Sequence, residues 1–179
     1  MNTQPRHSLR SRHVGDPGIR RLILALATML LLAGCGGTQQ QATVNRLPDA
    51  TLQGLTSATK PTDLRDLRGP MVVNLWANWC RPCRREMPIY QKFHTAHPGV
   101  KVLGINWRDP ARDKALAVAR QTRVTYPLVV DTGDVVPGRA LPKLILLDAK
   151  GRIAYQAYVE IKSRKQLEDL VHTHLGAGL

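Results

Sequence analysis

Cys80 and Cys83 stand two residues apart in Trp79-Cys80-Arg81-Pro82-Cys83, directly after the apolar run Met71-Val72-Val73-Asn74-Leu75-Trp76. The apolar run predicts a buried strand, and the residues from Cys80 onward predict a helix. A strand that hands a cysteine to a helix N-terminus sets its sulfur against free amide N–H groups and the positive end of the helix dipole. Both favour a thiolate. The second cysteine, one turn on, is placed to resolve a mixed disulfide, so the pattern predicts reversible thiol–disulfide exchange. Arg81 adds positive charge beside Cys80. Favouring the Cys80 thiolate makes the disulfide more oxidising, at about 1.4 kcal/mol per 30 mV. Trp79 is expected to shield the disulfide and to form contact surface, and Trp76 to pack in the core.

Other uses of a cysteine pair fit less well. Cys80-x2-Cys83-x10-His94-x2-His97 approaches a zinc-finger spacing, but its loop and its His–His step are both shorter than such sites use. No metal is assigned to it, although a copper- or zinc-delivery protein using the dithiol as ligand stays as an alternative of another class. A c-type haem would need His after the second cysteine, where Arg84 stands. A peroxidase of the peroxiredoxin kind, the third option, would want a hydroxyl residue where Ala77 stands. His94, His97, His172 and His174 are given no role.

The first residues do not read as domain. Arg6, Arg10, Arg12, Arg20 and Arg21 precede an apolar run, Leu22 to Leu32, interrupted only by Thr28. A basic start, an apolar stretch of this length and small residues before a cut predict a secretory signal. The run is shorter than the roughly 20 residues a membrane span needs. Leu32-Ala33-Gly34-Cys35 resembles a bacterial lipobox, so residues 1–34 are predicted to be a lipoprotein signal peptide and Cys35 the lipidated residue. Residues 35–43, small and polar after Cys35, would form a flexible tether, and 44–179 the domain. Cys35 is the first of three cysteines. With it lipidated, two remain, too few to staple a secreted fold, so the Cys80/Cys83 pair points to chemistry.

The formal net charge is +13, and beyond residue 34 there are still 21 Lys and Arg against 12 Asp and Glu. The basic residues are scattered, there is one Phe, and no basic–aromatic alternation occurs. Nucleic acid is therefore excluded as a partner.

Between residues 44 and 179 the pattern predicts strand–helix–strand–helix, then a hairpin and a closing helix. The elements are an irregular stretch over Val44–Leu55 with room for a short strand, one or two helical turns from Asp63 closed by Gly69, and strands over Met71–Trp76 and Val100–Asn106. A helix from Cys80 to about His97, kinked at Pro88, lies between these strands. Asp109 is expected to cap a helix from Ala111 to about Gln121. Val124–Val130 reads as extended. Lys143–Leu147 and Arg152–Val159 read as strands joined by the turn Asp148–Gly151, and Ser163 as the cap of a last helix with Leu167, Leu170 and Val171 on one face. The result is an α/β fold, a sheet with helices on both faces.

Asn74-Leu75-Trp76-Ala77-Asn78-Trp79-Cys80-Arg81-Pro82-Cys83-Arg84-Arg85-Glu86-Met87-Pro88 resembles the active-site segment of the TlpA/ResA-like branch of the thioredoxin superfamily. Those proteins are membrane-anchored extracytoplasmic disulfide oxidoreductases. The resemblance spans roughly residues 45–175 and implies a thioredoxin fold with a central mixed β-sheet. It implies an exposed nucleophile at Cys80 and a buried resolving Cys83, which together form the Cys80–Cys83 disulfide. Pro142 would be a cis-proline facing them, and the backbone of Leu141 would pair with an extended substrate, leaving Trp79, Arg81 and Pro82 on the contact surface. Glu86 would assist proton transfer at the buried thiol, the bland alternative being a surface carboxylate offsetting Arg84 and Arg85. Where thioredoxins have a buried aspartate, six residues before the first cysteine, this chain has Asn74, which moves proton handling to Glu86. Lys143-Leu144 replaces the small hydroxylated residues common after that proline, which bears on partner choice.

The activity implied is thiol–disulfide exchange with extracytoplasmic proteins, most often as a reductase of the cytochrome c maturation type, with a disulfide-forming oxidase as the alternative. A membrane electron donor or acceptor and the membrane itself, through the lipid anchor, are the other partners. No cofactor is implied, and a monomer is expected.

Overall fold

β3 (Met71–Trp76) is the buried strand that the apolar run predicts, with every residue buried. The structure is a computed structural model and describes residues 45–176. The predicted signal peptide, Cys35 and the whole of the tether lie outside the described residues. Alternate side chains of β3 serve opposite faces, as strand geometry requires. Val72 and Trp76 join one apolar cluster, and Met71, Val73 and Leu75 join another.

Six further strands complete a mixed sheet: β1 (Thr51–Gly54), β2 (Thr62–Asp63), β4 (Lys101–Trp107), β5 (Leu128–Asp131), β6 (Lys143–Leu147) and β7 (Ile153–Ala157). Their order is β2-β1-β5-β4-β3-β6-β7. The three central strands β5, β4 and β3 run parallel, and the flanking pairings are antiparallel. This is the mixed sheet of the expected thioredoxin-like fold.

Among the described residues three α-helices accompany it: α1 (Arg81–Ala96), α2 (Arg112–Thr122) and α3 (Arg164–Leu175). Met87, Tyr90 and Phe93 of α1, Ala115 and Val118 of α2, and Leu167 and Val171 of α3 all belong to the cluster that contains Val72 and Trp76. The chain steps from β3 to β4 to β5 in one direction across the sheet. Right-handed parallel crossovers then put α1 and α2 on the same face, and α3 joins them. The opposite face is closed by Leu47, Leu52, Val136 and Leu64 of a single 3₁₀ turn, Leu64–Asp66. Among the described residues, helical structure reaches the second face only as that turn.

Local signals act largely as read. Asp63 caps the 3₁₀ turn by accepting the Arg65 N–H at 3.0 Å, although the turn ends in an extended Leu67 and not at Gly69. Asp148 Oδ1 accepts the N–H groups of Lys150 and Arg152, both at 2.9 Å. Gly151 supplies the φ of +75° that the hairpin needs. Ser163 caps α3 through the Gln166 N–H at 3.1 Å. Pro88 sits inside α1 on its exposed side, where its missing N–H faces solvent.

Candidate active site

Cys80 is the N-cap of α1, with an extended backbone and its sulfur accepting the Cys83 N–H at 3.2 Å. The two cysteines are joined as a disulfide, with Cα atoms 5.3 Å apart. No acidic residue lies in the first turn of α1, so the positive end of the dipole faces the sulfurs without an opposing carboxylate. Cys80 is not the exposed residue that the resemblance implies. It is 4% exposed against 1% for Cys83, with the two sulfurs bonded at the start of the helix. Its neighbours are more open: Trp79 is 57% exposed, Arg81 is exposed and Pro82 is half-buried.

Leu141 and Pro142 lie at the same end of the sheet. Leu75, near the end of β3, pairs with Lys143 at the start of β6, so the residues that follow Trp76 and those that precede Lys143 are neighbours. The Leu141–Pro142 peptide is cis, as the resemblance implies. Both residues are half-buried.

Glu86 follows Cys83 by three positions, which places the two on the same side of α1. It is 1% exposed, and its Oε1 accepts the N–H of Ile161. Burial pushes its carboxyl up to about 8, with the charge of Glu160 adding to the rise; the Ile161 N–H and Arg85 oppose it. It is therefore not the surface carboxylate of the bland alternative, and it forms no ion pair with Arg84 or Arg85. Arg85 instead binds Glu160 at 2.7 Å. The nearby phenol of Tyr90 is also pushed well up, chiefly by burial, with the charge of Glu86 adding to the rise. Asn74 is buried at 2% exposed and points to the same face of β3 as Val72 and Trp76.

Asp109 is the site residue that sequence reasoning misplaced. α2 begins at Arg112 with Ala111 as an N-cap that has no side-chain bond. The Asp109 carboxylate, 1% exposed, does accept the Ala111 N–H at 3.1 Å. Its main grip is elsewhere. It accepts the backbone N–H of Asn78 at 2.6 Å, the Asn78 side-chain amide, and Asn106 Nδ2 at 2.9 Å. Asn78 lies two residues before Cys80, so Asp109 ties the end of β4 to the segment that delivers the disulfide. The Asp-Pro pair is a strong local cap signal, and nothing in the sequence announces a partner 31 residues away.

The histidines separate from the cysteines. His97 pairs with Glu168 at 2.8 Å, and His94 packs edge-on to Tyr126 with ring centroids 6.2 Å apart. Among the described residues no group of three His, Cys, Asp or Glu side chains could hold a metal ion.

The chain is similar to known proteins. The AhpC/TSA family matches residues 44–156. The chain is 30% identical to the thiol:disulfide interchange protein DsbE of Vibrio cholerae over 169 residues, 83% of this chain and 90% of that one. It is 29% identical to the thiol-disulfide oxidoreductase ResA of Geobacillus thermodenitrificans over 151 residues, 75% of this chain and 85% of the relative. Among solved structures, a secreted thiol-disulfide isomerase from Corynebacterium glutamicum is similar with a TM-score of 0.60 and 29% identity. That likeness covers 73% of this chain and 86% of the other.

Proposed function

From the premise that this chain belongs to the AhpC/TSA family and is a thiol-disulfide oxidoreductase of the DsbE/ResA type, we propose that it reduces disulfides in extracytoplasmic partner proteins. The observation that supports the exchange chemistry is the Cys80–Cys83 disulfide at a helix N-terminus that lacks acid, beside the exposed Trp79 and Arg81; the reductase direction follows the family resemblance.

In the reduced protein the Cys80 thiolate attacks a partner disulfide. A Cys80–partner disulfide forms, and one partner thiolate leaves. Cys83, deprotonated, then attacks the Cys80 sulfur, which forms the Cys80–Cys83 disulfide and releases the second partner thiolate. Two electrons pass to the partner, and a dithiol donor at the membrane returns them. Glu86, which holds its proton up to about pH 8, exchanges protons with Cys83 one turn away. Leu141 pairs with the partner backbone beside Pro142, and Trp79, Arg81 and Pro82 form the rest of the contact surface. The protein works outside the cytoplasm, like the secreted Corynebacterium protein that it resembles. Residues 1–34 direct export, Cys35 carries the lipid anchor, and 35–43 tether the domain 44–179.

The oxidase direction draws on the helix N-terminus at Cys80 and on the positive charge of Arg81 and Arg84 in the first turn of α1, which both favour the thiolate. A measured reduction potential decides. A value near that of thioredoxins, about −270 mV, is expected, whereas one near about −120 mV would make the protein an oxidase. A Cys83→Ala variant, unable to resolve, should accumulate disulfide-linked partners. Finding none would remove protein–protein exchange. Stoichiometric tight metal without insulin reduction would point to copper or zinc delivery, and peroxide consumption dependent on Cys80 would point to a peroxidase.

A further inference from the structure

The segment between β5 and β6 that leads into Leu141–Pro142 is fixed by buried groups. Asp131, 1% exposed, accepts the N–H of Val135 at 2.9 Å and of Val136 at 2.8 Å. Trp107 Nε1 donates to the Val136 carbonyl at 2.9 Å. Gly138 lies so close to the same indole that an added Cβ would meet Trp107 at 2.9 Å. Two side chains, Asp131 and Trp107, thus hold the backbone that carries Arg139.

Two cations meet on this segment. Lys143 is 5% exposed, and its Nζ donates to the Pro137 carbonyl at 2.7 Å. That nitrogen lies 5.6 Å from the ring centre of Tyr158, and the Arg139 guanidinium lies 4.8 Å from it. The Arg139 N–H donates to the Tyr158 hydroxyl at 3.1 Å. Neither cation forms an ion pair with a carboxylate among the described residues. Burial lowers the Lys143 ammonium, against a smaller opposing influence of Tyr158. With Gln156 and Ala157 these residues line a cleft of about 740 Å³.

Ring faces attract cations, but two positive groups around one phenol also repel each other. An anion between them would relieve the repulsion and take charge-assisted hydrogen bonds from both. The Tyr158 hydroxyl, having accepted from Arg139, still has its own proton to donate. Three donors converge on one cleft, and Lys143 is the residue directly after Pro142.

We propose that this cleft takes the side-chain carboxylate of an Asp or Glu in the partner segment that lies along Leu141, a few residues from the cysteine being attacked. This names the partner chemistry of the exchange reading and rests on it. Lys143, which departs from the small hydroxylated residue common after this proline, is then a specificity determinant.

The test uses the reduced full-length protein and two synthetic disulfide peptides, identical except that Asp and Glu flanking the cysteine in one are Asn and Gln in the other. Exchange is followed by stopped-flow tryptophan fluorescence. At low salt the acidic peptide should react roughly tenfold faster, the worth of one charged hydrogen bond, and the ratio should shrink as salt screens the charges. Arg139→Gln, at an exposed position, and Lys143→Met should each bring the ratio toward one, and Arg139→Glu should drive it below one. A wild-type ratio of one overturns the proposal while leaving exchange intact, as does a ratio that the variants do not move. Loss of reaction with both peptides would instead strike the exchange reading and this inference together. Equal peptide rates with Arg139-dependent binding to anionic vesicles would make the cleft a headgroup site and overturn the proposal.

Discussion

A carboxyl enclosed beside a sulfur pair is tolerated because it keeps its proton, and Glu86 keeps it up to about pH 8 against an ordinary value of 4.5. The linkage has a definite sign. Between those two values the unfolded chain has released this proton and the native chain has not, so the native state binds more protons and loses stability as pH rises. Below 4.5 both states are protonated and the effect vanishes. The whole span is worth about 5 kcal/mol at most. Urea denaturation of the oxidised protein should therefore show stability falling from pH 5 to pH 8.5, and Glu86→Gln should flatten that fall. The same substitution should remove an inflection near pH 8 from the rate of mixed-disulfide resolution; an unchanged rate profile would take Glu86 out of the proposed mechanism. The spacing of Glu86 from Cys83 is plain in the sequence. Its burial is not, because Arg84 and Arg85 beside it make the local pattern read as a solvated face.

At the scale of elements, the geometry of Cys80 depends on two joints. One is α1 itself, which begins at Arg81 with a cysteine as its cap. The other is Asp109, whose carboxylate binds Asn78 and Asn106 and so ties β4 to the approach of the disulfide. Asp109→Ala would leave the buried N–H of Asn78 and the Asn106 amide without an acceptor. We expect a loss of about 2–4 kcal/mol, read from urea denaturation, together with slower exchange as the Asn78–Trp79 segment loosens. If stability changes by less than about 0.5 kcal/mol, the joint is dispensable. Sequence periodicity finds β3, β4, β6 and α3 because their burial patterns are local. It places Asp109 at a helix cap because an Asp-Pro pair ahead of a helical stretch looks the same whichever way the side chain turns.

For the whole molecule, the sheet presents one helical face and one face closed by loops and a 3₁₀ turn. The proposed anchoring is also a property of the whole chain. Cys35→Ser should move the protein from the membrane fraction to the soluble fraction after cell lysis, with the mature mass losing its lipid. If wild type and variant fractionate alike, Cys35 is not an anchor. By themselves the residues determined the redox pair, its seat at a helix start, the hairpin turn and the closing helix, since each rests on contacts between near neighbours in the chain. Only the tertiary structure decided the order of the strands, and with it that the crossovers carrying α1 and α2 share a face. It alone brought Asp109 to Asn78, Glu86 to Ile161, and Arg139 and Lys143 to one tyrosine ring. These meetings join segments distant in sequence, or side chains whose direction the backbone path sets, so no local pattern encodes them.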